Sequence, residues 1–339
     1  MIIARTPFRV SFVGGGSDLP AFCDRQPGAV LSTTIDKAVY LTLHPYFDRE
    51  KTFLRYSKSE LITELDAIEH PLFREALRFT RVTGGVEISS TADVPSGTGL
   101  GSSSAFAVGL IHVLTAYQGH HASREILASA ASHLEIDVLG EPIGRQDHYA
   151  AAYGGVNVIE FFENGRVRVE PVTVARKVLS DLEQRLLMFY TGTQRATRTV
   201  LLDQTRHVAN DEGKFKATAE MVKLVYRMRD ALFAEDLPVF GELLQQNWEL
   251  KRSLSTHISN QAIDAAYLRA MEAGAGGGKL LGAGAGGFLL LYCEPEYQTP
   301  VRKALSDLPE LPFRFDFSGS RIIYTDGFDI GESRRVFSQ

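Results

Sequence analysis

Pro95-Ser96-Gly97-Thr98-Gly99-Leu100-Gly101-Ser102-Ser103-Ser104-Ala105 decides how this chain is read. Three glycines at 97, 99 and 101 precede three serines, and from Ser102 onward Phe106, Leu110, Val113, Leu114 and Tyr117 recur at the three- and four-residue spacing of a helix. Glycine lets a backbone adopt positive φ and come close to a phosphate, while the free N–H groups of a helix start point at an anion. The hydroxyls of Ser102, Ser103 and Ser104 add donors, or an oxygen ligand for a hard cation. No lysine follows Gly101, so the stretch is not a Walker A loop. A Gly-rich turn with a Ser-rich helix start is also an ordinary structural device, so its meaning depends on what surrounds it.

Outward from this loop the pattern is one of blocks. Ile2 to Val13 reads as a strand ending in Gly14-Gly15-Gly16, Val30 to Leu43 as a pair of strands around Asp36-Lys37, and Val86 to Ser90 as a strand leading into the loop. Ser123 to Leu139 is an amphipathic helix with Ser123 as N-cap. Val156 to Phe161 and Arg166 to Val169 form a hairpin across Asn164-Gly165. In the second half Arg185 to Tyr190 is a strand, helices cover 193–208, 213–233 and 237–254, and Leu280 to Tyr292 is strand–turn–strand with short strands and loops beyond. Strands precede helices in blocks rather than alternating with them, which predicts an α+β protein and not a doubly wound sheet. The boundary between two domains falls near residue 175, giving 1–175 and 176–339.

Composition narrows the function. A formal net charge of -5 supplies no basic field for nucleic acid or anionic membrane, so an anionic ligand must be held by local donors. The two cysteines, Cys23 and Cys293, form no CxxC and no disulfide framework, which fits a reducing cytosol. The N-terminus has no long apolar core and the most apolar stretch, Leu280 to Cys293, is too short to span a bilayer and is interrupted by glycines, so the expected location is cytoplasmic. The nine histidines show no metal-ligand spacing, and Trp248 reads as packing.

Two further motifs stand in order with the loop. Arg5-Thr6-Pro7-Phe8-Arg9-Val10-Ser11-Phe12-Val13-Gly14 resembles the N-terminal signature of the GHMP kinases, Pro95 to Ala105 their phosphate-binding loop, and Leu281-Gly282-Ala283-Gly284-Ala285-Gly286-Gly287 their C-terminal glycine motif. The resemblance implies the GHMP kinase fold, an N-terminal domain like ribosomal protein S5 domain 2 followed by a ferredoxin-like α+β domain, with the active site between them. It also implies ATP as co-substrate and Mg²⁺ as cofactor. Gly97, Gly99, Gly101, Ser102, Ser103 and Ser104 would bind the nucleotide phosphates, and Ser103 with Glu135 would hold the metal. Asp147, twelve residues beyond Glu135, would orient or deprotonate the attacking hydroxyl, and Arg9 would lie beside it and offset charge in the transition state. Alone, Glu135 would read as a solvated helix face, Asp147 as a turn residue, and Arg9 as a strand-edge arginine.

The substrate expectation comes from a departure. Where galactokinases carry Gly-Glu-His-Thr-Asp, this chain reads Gly14-Gly15-Gly16-Ser17-Asp18, which together with GEPIGRQDHYAAAYGG and VLSTTIDKAVYL is similar to the D-glycero-D-manno-heptose 7-phosphate kinases. That likeness implies a sugar phosphate acceptor phosphorylated at its anomeric hydroxyl. Asp18, Gly15 and Gly16 would contact the sugar, and Arg145, with Arg195 and Arg198 as alternatives, would hold the distal phosphate. An L-fucokinase-like sugar-1-kinase and a catalytically silent sugar sensor are the competing readings. An RNA-binding role for an S5-like fold is disfavoured by the acidic balance.

Overall fold

The structure is a computed structural model describing residues 1–192 and 197–327. In chain order the elements are β1 (Ile2–Val13), α1 (Pro20–Cys23), β2 (Gly28–Pro45), β3 (Thr52–Arg55), β4 (Ser59–Ile62), α2 (Pro71–Phe79), β5 (Val86–Ala92), α3 (Ser102–Tyr117), α4 (Arg124–Ser132), α5 (Gln146–Tyr153), β6 (Asn157–Phe161), β7 (Val167–Pro171) and α6 (Arg176–Gln184). The second half continues with β8 (Leu186–Tyr190), α7 (Thr197–Asn210), α8 (Glu212–Phe233), α9 (Leu237–Ser253), α10 (Gln261–Glu272), β9 (Gly277–Leu280), β10 (Phe288–Tyr292), α11 (Gln298–Ala304), β11 (Phe315–Asp316) and β12 (Arg321–Thr325). The α+β organisation is as expected. Among the described residues no helix is long and apolar enough to cross a membrane.

Among the described residues two sheets carry the architecture. The larger has the order β12-β1-β2-β5-β3-β4, with β6, β7 and β11 attached through β2. The smaller is antiparallel, β8-β10-β9, and an isolated bridge from Phe189 to Glu310 extends its β8 edge. With helices between β8 and β9 and between β10 and Glu310, this is the βαββαβ order of a ferredoxin-like layer whose fourth strand is reduced to a single bridge.

The sequence reading needs three corrections here. Val30 to Leu43 is not two strands but part of one continuous strand, β2. The apparent break at Asp36-Lys37 is a bulge: Pro7 pairs with Ala38 but Arg9 pairs with Thr34. Pro7 cannot donate to the ladder, and an interrupted register is where a strand tolerates it. The segment beyond Tyr292 is not only strands and loops, because Gln298–Ala304 is helical, and α10 has no counterpart in the sequence reading. The chain also returns: it leaves the large sheet after β7, near the expected boundary at 175, and comes back to pair β11 with β2 and β12 with β1.

Among the described residues, apolar side chains form three cores. One lies between the large sheet and α2, α3 and α4, and one packs β9 and β10 against α9 and α10. The third joins the halves, with Phe8, Val10 and Phe12 of β1 packed against Val225 and Leu232 of α8 and Phe240 of α9. Phe12 is fully buried, with its ring edge-on to Phe240 at 5.1 Å between centroids and near Phe315 of the returning β11.

This seam should make the two halves unfold together. Phe12→Ala is expected to cost about 3–5 kcal/mol. Trp248, the single tryptophan, lies in the core that packs β9 and β10 against α9 and α10, away from the seam. Its fluorescence transition in denaturant should shift to the same lower midpoint as the far-UV circular dichroism. A Trp248 transition that stays in place would show that the halves are independent.

Candidate active site

The cleft lies where the start of α3, the end of β1, the loop before α5 and the loop between β9 and β10 converge. Gly97, Gly99 and Gly101 have φ of 75°, 84° and 72°, a region that side chains disfavour. Gly101 caps α3 with no side-chain bond, which leaves the first-turn N–H groups of Ser102 to Ser104 at the cleft. The C-terminal glycines pack directly behind. A Cβ on Gly99 would come within 2.5 Å of the Leu281 carbonyl oxygen, and one on Gly287 within 2.3 Å of that of Thr98. The two glycine loops thus touch backbone to backbone, which side chains would prevent.

Arg9 ties this loop to the carboxylate expected beside it. Its Nε and Nη2 donate to Asp147 Oδ1 and Oδ2, both at 2.7 Å, and its Nη1 donates to the Gly99 carbonyl. The Arg9 amide donates to Leu100 O at 3.1 Å. Arg9 is buried rather than at a strand edge, and Asp147 lies in the first turn of α5.

Glu135 is not on a solvated face. It is buried in a π-helical turn, His133–Val138, that continues α4, a local widening frequent at functional sites. Its Oε1 accepts from Ser103 Oγ, and its Oε2 is 2.6 Å from His148 Nε2. Burial opposes ionisation of this carboxyl, but the hydrogen bonds from His148 and Ser103 outweigh it and hold its pKa below the usual value. Among the described residues no three His, Cys, Asp or Glu side chains form a metal cluster. One carboxylate and one hydroxyl are nonetheless a fitting protein share for magnesium, which takes most of its ligands from phosphates and water.

On the far side of Arg9 lie Gly15, Gly16 and Asp18. Asp18 accepts from Gln146 Nε2 at 2.9 Å and from the Gln146 and Gly16 amides. Burial, and then the negative charge of Asp147, raise its pKa. Arg145 departs from expectation. It does not line the cleft but faces a neighbouring hollow beneath the β6–β7 turn, 3.4 Å from Ser132 Oγ and 3.9 Å from Asp137. As residue before α5 it precedes Gln146, which takes the place facing Asp18. Arg198 stands at the cleft mouth paired with Glu141 at 2.8 Å, and Arg195 lies outside the described residues.

Two lysines absent from the sequence reading enter the same cleft. Lys251 of α9 donates to Gln204 Oε1 at 2.8 Å and to Gly15 O at 3.2 Å, and Lys279 of β9 donates to Ser11 O at 2.7 Å. Lys279 was legible in principle, being the only charged residue between Glu272 and Glu294 in an otherwise apolar and glycine-rich run. Lys251 sits among other charges on an amphipathic helix and gives no such signal.

Burial lowers the Lys251 pKa to about 8, against a smaller opposing effect of Asp18. Its charge therefore costs the folded state about 3 kcal/mol below that pH, and the cost fades as pH rises from about 8 towards 10.5. Lys251→Met should raise the thermal midpoint by a few degrees at pH 7 and by much less at pH 10. An equal or absent gain at both pH values would contradict a charged, uncompensated Lys251.

Comparison with known proteins agrees with this geometry. The family models "GHMP kinases N terminal domain" and "GHMP kinases C terminal" match residues 64–155 and 228–310. A Campylobacter jejuni D-glycero-alpha-D-manno-heptose 7-phosphate kinase is 31% identical over 315 residues, 90% of this chain and 93% of that one. An Arabidopsis thaliana bifunctional fucokinase/GDP-fucose pyrophosphorylase is 29% identical over 329 residues, 90% of this chain but 31% of that protein. The crystal structure of a D-glycero-D-manno-heptose 1-phosphate kinase from Bacteriodes thetaiotaomicron superposes with a TM-score of 0.80 at 25% identity, over 96% of this chain and 100% of that one. With its glycine loops back to back and both halves matched, the chain belongs to the GHMP kinase family and is a phosphotransferase.

Proposed function

We propose that this kinase transfers the γ-phosphoryl group of ATP to the anomeric hydroxyl of D-glycero-D-manno-heptose 7-phosphate, giving the 1,7-bisphosphate used to make nucleotide-activated heptose. The observation that carries the reading is the Arg9–Asp147 fork set against the glycine loop, with Ser103 and Glu135 beside it. Residues 1–175, joined by the returning β11 and β12, would form the ATP-binding domain, and the rest of 176–339 the C-terminal domain.

In this reading the amides and hydroxyls from Gly97 to Ser104 hold the β- and γ-phosphates. Ser103 and Glu135 would supply the protein ligands of Mg²⁺, which neutralises phosphate charge when bound. The acceptor oxygen bonds to the γ-phosphorus as the bond to the β-bridging oxygen breaks and ADP leaves. The hydroxyl proton passes to Asp147, whose oxygens keep acceptor capacity beyond the two Arg9 bonds. Arg9, held by that fork, is a fixed cation beside the developing charge. Asp18 would accept from sugar hydroxyls. Support for the acceptor comes from two relatives whose names both place a phosphate on a heptose, one at C7 and one at C1. A sugar-1-kinase acting on free L-fucose is the second reading, favoured by the fucokinase match.

A coupled assay separates the two readings. Heptose 7-phosphate should be used at least tenfold better, in kcat/KM, than heptose 1-phosphate, free heptose, L-fucose or galactose. Equal use of fucose would put the second reading first, and no ATP turnover with any sugar would favour a silent sensor.

The assigned roles predict distinct losses. Asp147→Asn should keep ATP binding and lower kcat by about 10²–10⁴. Glu135→Gln should raise the magnesium concentration needed for half-maximal rate. Near-normal turnover in the first variant, or an unchanged magnesium requirement in the second, removes that residue from its role.

A further inference from the structure

Buried donors on the acceptor side of the cleft outnumber their acceptors. An ammonium group has three donors. Lys279 uses one, on Ser11 O, and Lys251 uses two, on Gly15 O and Gln204 Oε1. Among the described residues the Ser11 hydroxyl and the Gln204 amide nitrogen are buried and have no hydrogen-bond partner. Lys251, Lys279 and Ser11 all line the cleft. Neither lysine forms a salt bridge among the described residues. The nearest carboxylate influence on Lys251 is Asp18, already engaged by Gln146 and Gly16. Buried cations are ordinarily paired, and among the described residues no carboxylate pairs with either lysine.

We infer that Lys251, Lys279 and the Ser11 hydroxyl form an anion site that holds the phosphate monoester an acceptor sugar already carries. The inference rests on the proposed reading of the cleft as a sugar phosphate kinase site. Its position fits that role. Ser11 is two residues beyond Arg9 on β1, about 7 Å further towards Gly14–Gly16. A sugar then has room between the hydroxyl facing Asp147 and the anion site. The free donors, two on Lys279, one on Lys251 and one on Ser11, suit the three terminal oxygens of a phosphate ester, which accept several charge-assisted hydrogen bonds. Burial drives the pKa of Lys279 well down, with Lys251 and Arg9 adding to the effect, as expected for cations crowded together without their counter-ion. Of the arginines expected to bind this phosphate, the two that are described hold other positions: Arg145 faces the neighbouring hollow and Arg198 is paired at the mouth.

The test is acceptor selectivity. In Lys251→Met and Lys279→Met the ratio of kcat/KM for heptose 7-phosphate over free heptose should fall about 10–100-fold, with KM for ATP changed less than about twofold. Lys279→Arg should recover part of that ratio. In the wild type, inorganic phosphate should inhibit competitively with heptose 7-phosphate and not with ATP, an arm that needs no variant to fold. An unchanged ratio overturns the inference, as does inhibition competitive with ATP alone. So does an equal fall in kcat on both acceptors, which would place the lysines on the transferred phosphoryl group. If the wild type uses no heptose phosphate, the substrate reading has failed and the site is tested separately by calorimetry. With a non-hydrolysable ATP analogue filling the loop, inorganic phosphate should bind the wild type and bind both Met variants at least tenfold more weakly. Equal binding to all three overturns the site.

Discussion

The fork between buried Arg9 and half-buried Asp147 is the interaction on which this site depends. Taking a guanidinium and a carboxylate out of water costs several kcal/mol each, and only good geometry with further hydrogen bonds offsets it. Here two parallel bonds of 2.7 Å join the pair, and a third guanidinium donor goes to the Gly99 carbonyl. One side chain therefore fixes three segments: the middle of β1, the first turn of α5 and the glycine loop. Losing Asp147 would strand the Arg9 charge in a buried place. The pair is thus a device for positioning as much as for stability.

Around that fork the fold solves a problem of approach. A phosphate-binding backbone must be bare, yet a bare loop is loose unless something packs behind it. The loop at Gly282 to Gly287 supplies that backing, and only glycine on both sides lets the main chains come so near. Because one loop belongs to the large sheet and the other to the small one, the cleft exists only when both halves are docked. The shared core of Phe8, Val10 and Phe12 against α8 and α9 provides the docking.

Charge is distributed to match. The chain as a whole is acidic, with a net charge of -5, while Arg9, Lys251 and Lys279 converge in one cleft. Local cations in a partly desolvated cleft act on an anion far more strongly than the screened field of the whole molecule. Among the described residues the two buried lysines have no salt-bridge partner, a cost of the kind that binding an anion relieves. Glu135 shows the opposite arrangement: His148 and Ser103 supply donors, so its carboxylate stays charged despite being buried.

What the sequence by itself determined is what depends on near neighbours along the chain. The alternate glycines at 97, 99 and 101, the helix opening at Ser102, the strand over Ile2–Val13, the turn at Asn164-Gly165 and the α+β block order are local matters of φ, capping and side-chain period, and they are seen as read. Motif order extended this to the family and to the set Arg9, Ser103, Glu135 and Asp147. Tertiary structure alone decided which side chains meet. Lys251, Lys279 and Ser11 come from a helix and two strands as far as 268 positions apart, and no local preference records such a meeting. The bulge opposite Pro7 made one strand look like two, and the return of β11 and β12 to the first sheet depends on partners some three hundred residues earlier. Arg145 shows the same limit in one residue. Its neighbour Gln146 faces the cleft, and successive residues at a helix start point in different directions, so adjacency in sequence placed Arg145 in the next hollow instead.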